Sequence, residues 1–220
     1  MDNDQREFWS TIAKKYDRVV DLQIGGKTRS LVRSRLSKEN RLGNLAEFGC
    51  GTGFYTQVLA DKSTNVMATD LSPGMLAVAR ERIKATNVRF QAEDCEKTSF
   101  PDGIFDTTFM SLLIHFTEPR LTLAEMRRIL KPAGSLILAN LDPNALHGID
   151  RLCSLIRILY NGIIGYRLKP PKGFAKNVLS EKQLCKLLND VGFEVLSVET
   201  IKDTSRSSNI PVEYIRAVKI

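Results

Sequence analysis

Apolar residues recur at helical spacing near the start of the chain. Phe8, Trp9, Ile12, Ala13 and Tyr16 share one side of a helix predicted over 7–20. A second helix is predicted over about 28–40, with Leu31, Val32 and Leu36 turned inward. Short apolar runs then alternate with helical patterns: strand 45–49, helix 54–61, strand 65–70, helix 73–85 and strand 88–92. Strand 104–111, a helix over about 118–130 and strand 135–141 continue the rhythm. Such alternation implies a parallel sheet with helices on both faces. Ligands bind such sheets at the carboxyl ends of the strands, where the strand order reverses.

The rhythm breaks between Asp142 and Leu179. This stretch holds an apolar helical run, Leu152 to Tyr160, and then Asn161-Gly162, Gly165 and Pro170-Pro171-Lys172-Gly173. An insertion after a fifth strand lies above the ligand end of the sheet, so it is read as a lid or substrate cap. Ser180 with Gln183 then opens a helix in capping-box pattern, closed by Gly192. Phe193–Ile201 and Val212–Lys219 read as two strands. The chain divides into an N-terminal arm (1–41), a core (42–142), the cap (143–179) and a closing helix with strands (180–220), all within one domain.

Composition narrows the class. At 220 residues with 43% hydrophobic residues the chain can bury a sizeable core. No apolar run is long enough to span a bilayer, and the polar opening Met1-Asp2-Asn3-Asp4-Gln5 shows no secretory signal. Cys50, Cys95, Cys153 and Cys185 are scattered without a C-x-x-C pair, as expected of reduced thiols in a cytoplasm and not of a disulfide frame or zinc site. The formal charge is +7, with Lys14, Lys15, Arg18, Lys27, Arg29, Arg33, Arg35, Lys38 and Arg41 in the arm. A second basic run, Arg151 to Lys176, holds six basic residues and no acid. Such faces steer anionic substrates, RNA or acidic membrane surfaces, or are simply solvated.

The chemistry concentrates in Leu45-Ala46-Glu47-Phe48-Gly49-Cys50-Gly51-Thr52-Gly53 and in Val66-Met67-Ala68-Thr69-Asp70. A strand running into glycines lets a ligand approach bare main chain. An acid at the tip of the next strand accepts hydrogen bonds from ribose hydroxyls, and Asp70 stands there. The pair describes a pocket for an adenosine-bearing cofactor. A dinucleotide fingerprint needs a small residue where Phe54 stands, and no G-x-x-x-x-G-K-[ST] loop is present.

The form acid-x-G-x-G-x-G, Glu47 to Gly53, resembles motif I of the class I S-adenosylmethionine (SAM) methyltransferases. Asp70 to Arg80 resembles the second acidic strand end and its helix. Ala92 to Glu96 with Phe100-Pro101-Asp102 resembles the adenine turn, and Arg127 to Leu136 the helix-to-fifth-strand turn. These blocks, in family order, are most similar to the ubiquinone/menaquinone-biosynthesis (UbiE-like) group of small-molecule enzymes. Two positions depart from the pattern: Ala133 replaces the first glycine of a Pro-Gly-Gly turn, and Ser99 a common proline.

The resemblance implies a Rossmann-like, mostly parallel seven-stranded sheet with a C-terminal antiparallel hairpin. SAM is the implied cofactor and S-adenosylhomocysteine the product. Glu47 is placed near the cofactor's amino group, with Gly49, Cys50, Gly51 and Gly53 forming the loop. Asp94 is assigned to the adenine amino group, with a backbone donor from Cys95, while Leu71 and Met75 pack on the base. Tyr16 covers the methionine end. His115, beyond the fourth strand, is the candidate general base, and His147 has a slightly lower claim; a histidine flanked by Ile114 and Phe116 is more often a satisfied structural group. The expected reaction is in-line methyl transfer to a small molecule. An RNA methyltransferase using the basic arm, or a SAM-binding protein without catalysis, are the alternatives. Against the former, Met110-Ser111-Leu112-Leu113 lacks the [DN]-P-P-[FYW] motif of amino-methylating nucleic-acid enzymes.

Overall fold

The run after Leu42 has no polar face: in β1 (Gly43–Phe48) the last four residues are all buried. A strand covered on both sides reads as continuously apolar because helices lie on each face. The computed structural model describes residues 3–24, 27–159, 177–205, 207 and 209–220. The other strands are β2 (Ser63–Asp70), β3 (Val88–Ala92), β4 (Phe105–Ser111), β5 (Leu130–Leu141), β6 (Phe193–Ile201) and β7 (Val212–Lys219). They form a seven-stranded sheet in the order β3-β2-β1-β4-β5-β7-β6. β1 pairs in parallel with β2 and β4, while β7 runs antiparallel to both β5 and β6. The mostly parallel sheet with a closing hairpin is therefore the architecture of this chain.

The helices are α1 (Asn3–Ile12), α2 (Tyr16–Ile24), α3 (Thr28–Leu36), α4 (Thr56–Ala60), α5 (Pro73–Arg82), α6 (Pro119–Ile129), α7 (Gly148–Leu159) and α8 (Glu181–Asp190). Side chains alternate across the sheet, so adjacent residues enter opposite cores. Ala46, Met110 and Ile215 pack with Leu123 and Met126 of α6 and Leu184 and Leu188 of α8. Leu45, Phe109 and Tyr214 pack with Val32 and Leu36 of α3 and Leu59 of α4. The chain winds from β1 out to β3, then crosses to β4 on the other side of β1. The crevice at the carboxyl ends of β1 and β4 is the ligand position such a reversal creates.

Three details differ from the sequence reading. The helix over 7–20 is two helices, α1 and α2, joined by a single 3-10 turn, Ala13–Lys15. Leu31 is 40% exposed, whereas its neighbour Val32 and Leu36 one turn on are buried. β5 begins at Leu130, five residues early, because Phe105 pairs with Leu130 before a register shift admits Lys131 to Gly134. At that shift Ala133 sits at φ +58°, exposed and in the left-handed region. This conformation costs a non-glycine residue about 1–2 kcal/mol, offset by 0.5–1 kcal/mol of extra chain entropy for glycine. Ala133→Gly is accordingly expected to raise stability by about 0.5–1 kcal/mol in urea unfolding. The helix opened by Ser180 has its expected start: the Ser180 N–H donates to Gln183 Oε1 at 2.9 Å. Of the expected cap, 160–176 lies outside the described residues. Among the described residues no helix is long and apolar enough to cross a membrane.

Candidate functional site

The loop leaving β1 is built from turns with main chain facing inward. Gly49, Gly51 and Gly53 all have left-handed φ, at +63°, +54° and +79°. The loop is tied to β2 by the Cys50 N–H, which donates to Thr69 O at 2.8 Å, and by Thr69 Oγ1, which donates to Glu47 O at 2.9 Å. Gly51 forms part of the wall of a cleft that Tyr16, Asp70, Met75 and Leu113 also line. A Cβ at Gly51 would stand 3.6 Å from the Tyr16 ring across that space. A larger side chain there would fill the cleft and would also require a backbone angle that it avoids.

Asp70 closes the floor. Its Oδ2 accepts from the Gly51 N–H at 2.9 Å and its Oδ1 from the Ser72 N–H at 2.8 Å. Burial pushes this carboxyl up to about 6, against the two N–H bonds that lower it. Glu47 behaves differently. Its Oε2 accepts from Thr56 Oγ1 at 2.7 Å, beneath the loop. Burial raises it to about 8, opposed by the Thr56 bond and reinforced by Asp70. One acid thus borders the cleft and the other fastens the loop to α4.

The N-terminal arm roofs the cleft. Trp9 and Tyr16 line it, and Trp9 packs edge-on against Phe116, which follows β4, at 5.1 Å between ring centroids. Two contacts dock the arm. Ser10 Oγ shares a 2.8 Å hydrogen bond with Ser72 Oγ, the N-cap of α5. Asp17 receives hydrogen bonds from Thr52 of the glycine loop, Arg29 of α3 and Arg82 of α5. Burial opposes the Asp17 charge, but these donors outweigh it and hold the carboxyl below its usual range. Ser10 lies directly on Gly74, where a Cβ would come within 2.7 Å of the Ser10 Cα and 2.8 Å of its carbonyl oxygen. Gly74→Ala is expected to displace the arm and raise the Kd for SAM about fivefold, equivalent to roughly 1 kcal/mol. The core should not lose stability, because alanine favours the helix over glycine by about 1 kcal/mol. Calorimetry with thermal melting checks both parts.

Of the residues singled out in the sequence, Tyr16, Gly49, Gly51, Asp70, Leu71, Met75 and Cys95 come together around the cleft. Glu47, Cys50, Gly53, Asp94 and His115 do not form its wall. Cys50 is buried in the helix-facing core, and burial raises its thiol well above the ordinary value. Gly53 faces Ile83 and Ala79. Asp94 Oδ1 accepts from the Glu96 N–H at 3.0 Å, shaping the turn, and its neighbour Glu93 faces the cleft instead. Glu93 is held by the Gln91 amide and by the Ser99 hydroxyl and N–H, the last at 3.0 Å. A proline at 99 would have no N–H to offer. Burial pushes His115 down to about 4, so it is neutral at pH 7, and its ring packs at a tilt on Phe116, 4.0 Å between centroids. His147 is likewise absent from the cleft wall. Sequence reasoning passed over Trp9, Glu93, Ser111, Leu112, Leu113 and Phe116. Position at the carboxyl end of β4 was the available signal for Ser111 to Leu113, and Leu112 marks the wall with φ +54°.

The family description of a methyltransferase domain matches residues 46–138, from β1 into β5. Malonyl-[acyl-carrier protein] O-methyltransferase from Paenibacillus sp. (strain JDR-2) is 27% identical over 98% of this chain and 79% of its own length. The ubiquinone/menaquinone biosynthesis C-methyltransferase UbiE of Azotobacter vinelandii is 34% identical, covering 64% of this chain but 61% of its own length. Among solved structures, a SAM-dependent methyltransferase from Aquifex aeolicus superposes with a TM-score of 0.66 at 21% identity, covering 96% of this chain and 98% of that one.

Proposed function

We propose that the chain is a class I SAM-dependent methyltransferase, as its match to a methyltransferase domain over 46–138 supports, and that it moves a methyl group from SAM to a small, largely apolar acceptor. The acceptor we favour is an aromatic carbon or oxygen of a quinone-precursor type. The observation that carries this reading is that one cleft brings Asp70 and the glycine-loop main chain together with the apolar side chains Trp9, Leu112, Leu113 and Phe116. Relatives named for a malonyl group on an acyl-carrier protein and for ubiquinone/menaquinone biosynthesis support a small organic acceptor group over RNA.

When bound, the cofactor supplies an electrophilic methyl carbon on a sulfonium sulfur. Asp70, already an acceptor for two N–H groups, takes the ribose hydroxyls. Leu71, Met75 and Cys95 border the space for the base. Gly51 leaves main chain open to the methionine portion, while Leu113 packs against Gly49. The aromatic roof excludes water, which favours a reaction that disperses charge, and holding the acceptor in line can supply of order 7–11 kcal/mol. His115, neutral and outside the cleft wall, holds its position by packing. The test is transfer of a tritiated methyl group from SAM into cell extract divided into RNA, protein, lipid and small-molecule fractions. Label confined to the small-molecule or lipid fraction is expected. Label in RNA would refute the acceptor class, and no label with intact SAM binding would leave a non-catalytic binder.

A further inference from the structure

Three aromatic rings from two distant parts of the chain meet in the cleft. Trp9 packs against Tyr16 at 83° and against Phe116 at 72°, with ring centroids 5.9 Å and 5.1 Å apart. All three line the cleft. Rings set so nearly perpendicular make adjoining walls and not a flat stack. The Tyr16 ring reaches the glycine loop, since a Cβ added at Gly51 would lie 3.6 Å from it. Docking the arm calls only for apolar bulk, which aliphatic side chains supply. Aromatic faces add a negative quadrupole that attracts a cation.

Charge points the same way. The chain carries a net +7. Yet among the described residues the cleft wall holds two acids, Asp70 and Glu93, and no lysine, arginine or histidine. Arg29, near enough to Tyr16 to act on its hydroxyl, is tied to Asp17 and Asp21 at 2.8 Å each. Carboxylates and π faces together suit a cation, and aromatic cages are the usual hosts of methylated onium centres. We propose that Trp9, Tyr16 and Phe116 form an aromatic cage for the sulfonium of SAM, so that the cleft tells the charged methyl donor from its neutral thioether product. The cage rests on the reading above that SAM is the donor, and adds how that donor is recognised. Methyl transfer leaves the carbon–sulfur bonding pair on sulfur, and the positive charge disappears with it. The attraction is strongest before the methyl moves, so it serves loading and product release and not the transfer step.

Trp9 is the only tryptophan in the chain, so fluorinated tryptophan alters this ring alone. Fluorine withdraws density from the π face with little change of shape. The test is calorimetry with SAM and with S-adenosylhomocysteine on protein carrying tryptophan or its mono-, di- or trifluoro form. The Kd for SAM is expected to rise stepwise, by about threefold to tenfold at the last member, while the Kd for the product stays level. Phe116→Leu keeps apolar bulk and removes a π face. It should raise the Kd for SAM about threefold to fivefold and shift that of the product much less. An equal rise for both ligands, or a flat response of SAM to fluorination, overturns the cage and leaves the rings as ordinary packing. Parent protein that binds SAM but gives a flat series overturns the cage alone. Parent protein that binds neither ligand overturns the donor assignment and the cage with it.

Discussion

Asp70→Ala is expected to weaken SAM binding at least tenfold, because a hydrogen bond to a charged group carries about 1.5–3 kcal/mol. The carboxylate lies at the tip of β2 with both oxygens committed to main-chain donors of the two loops that border the cleft. Its loss removes the ribose acceptor and loosens Gly51 and Ser72 together. A second expectation follows from the carboxyl's position near 6. The folded value exceeds the unfolded one near 3.8, so the folded protein holds this proton more tightly than the unfolded chain does. Ionised Asp70 therefore costs stability above pH 6, and the cost fades as the pH falls toward 4. Ribose hydroxyls donate to the ionised form, so binding must expel the proton below pH 6. The Kd should hold level above about pH 7 and rise as the pH drops through 6, approaching tenfold per unit. Asp70→Asn should flatten this profile. Calorimetry across pH 5–8 on both proteins decides the matter; an unchanged Kd in folded Asp70→Ala would remove the residue from the site.

Strand positions were legible because burial on both faces leaves so little room for polar residues. Leu45 to Phe48 and Phe105 to Met110 announce themselves as central strands. The glycine loop and Asp70 were legible because few residue types permit bare main chain beside a carboxylate. What escaped was direction. Glu47 and Asp70 are both strand-end acids, yet only the partners in three dimensions, Thr56 for one and Gly51 for the other, decide which one meets the cleft. Asp94 and Glu93 are adjacent and chemically alike, and a turn of one residue exchanges their roles. The roof was hidden for a different reason: Trp9 meets Phe116 across more than a hundred residues of chain. Helical spacing records only that Trp9 is buried by something. Arg29 illustrates the same limit for charge. It counted toward a basic surface in the sequence, and in the fold it is an internal tie, 3% exposed.

That tie gives the second large effect. Arg29→Ala is expected to destabilise the protein by about 2–3 kcal/mol and to free the arm that roofs the cleft. The guanidinium donates to Asp17 Oδ1 and to Asp21 Oδ1, each at 2.8 Å, and to the Asp17 carbonyl at 3.1 Å. It also lies 4.1 Å over the Phe54 ring. Burial works against its charge, yet the bonds to Asp21 and Asp17 prevail and hold it protonated. Removing one member of a buried ion pair commonly costs about 3–5 kcal/mol. The smaller figure applies because Asp17 retains Arg82 and Thr52, and Asp21 is 37% exposed. Arg29→Lys should recover only part of the loss, since an ammonium cannot reach both carboxylates in a fork while stacking on the ring. Thermal melting should show a drop of roughly 4–12 °C for the alanine variant. Hydrogen exchange should quicken in 3–24 before the sheet opens, because the arm is held by these few contacts and the sheet by its ladder. SAM affinity should fall with it, since Tyr16 and Trp9 leave the cleft wall when the arm does. A variant that melts like the parent with an equally protected arm would show that Ser10 on Ser72 and the remaining Asp17 bonds to Thr52 and Arg82 suffice to hold the roof in place.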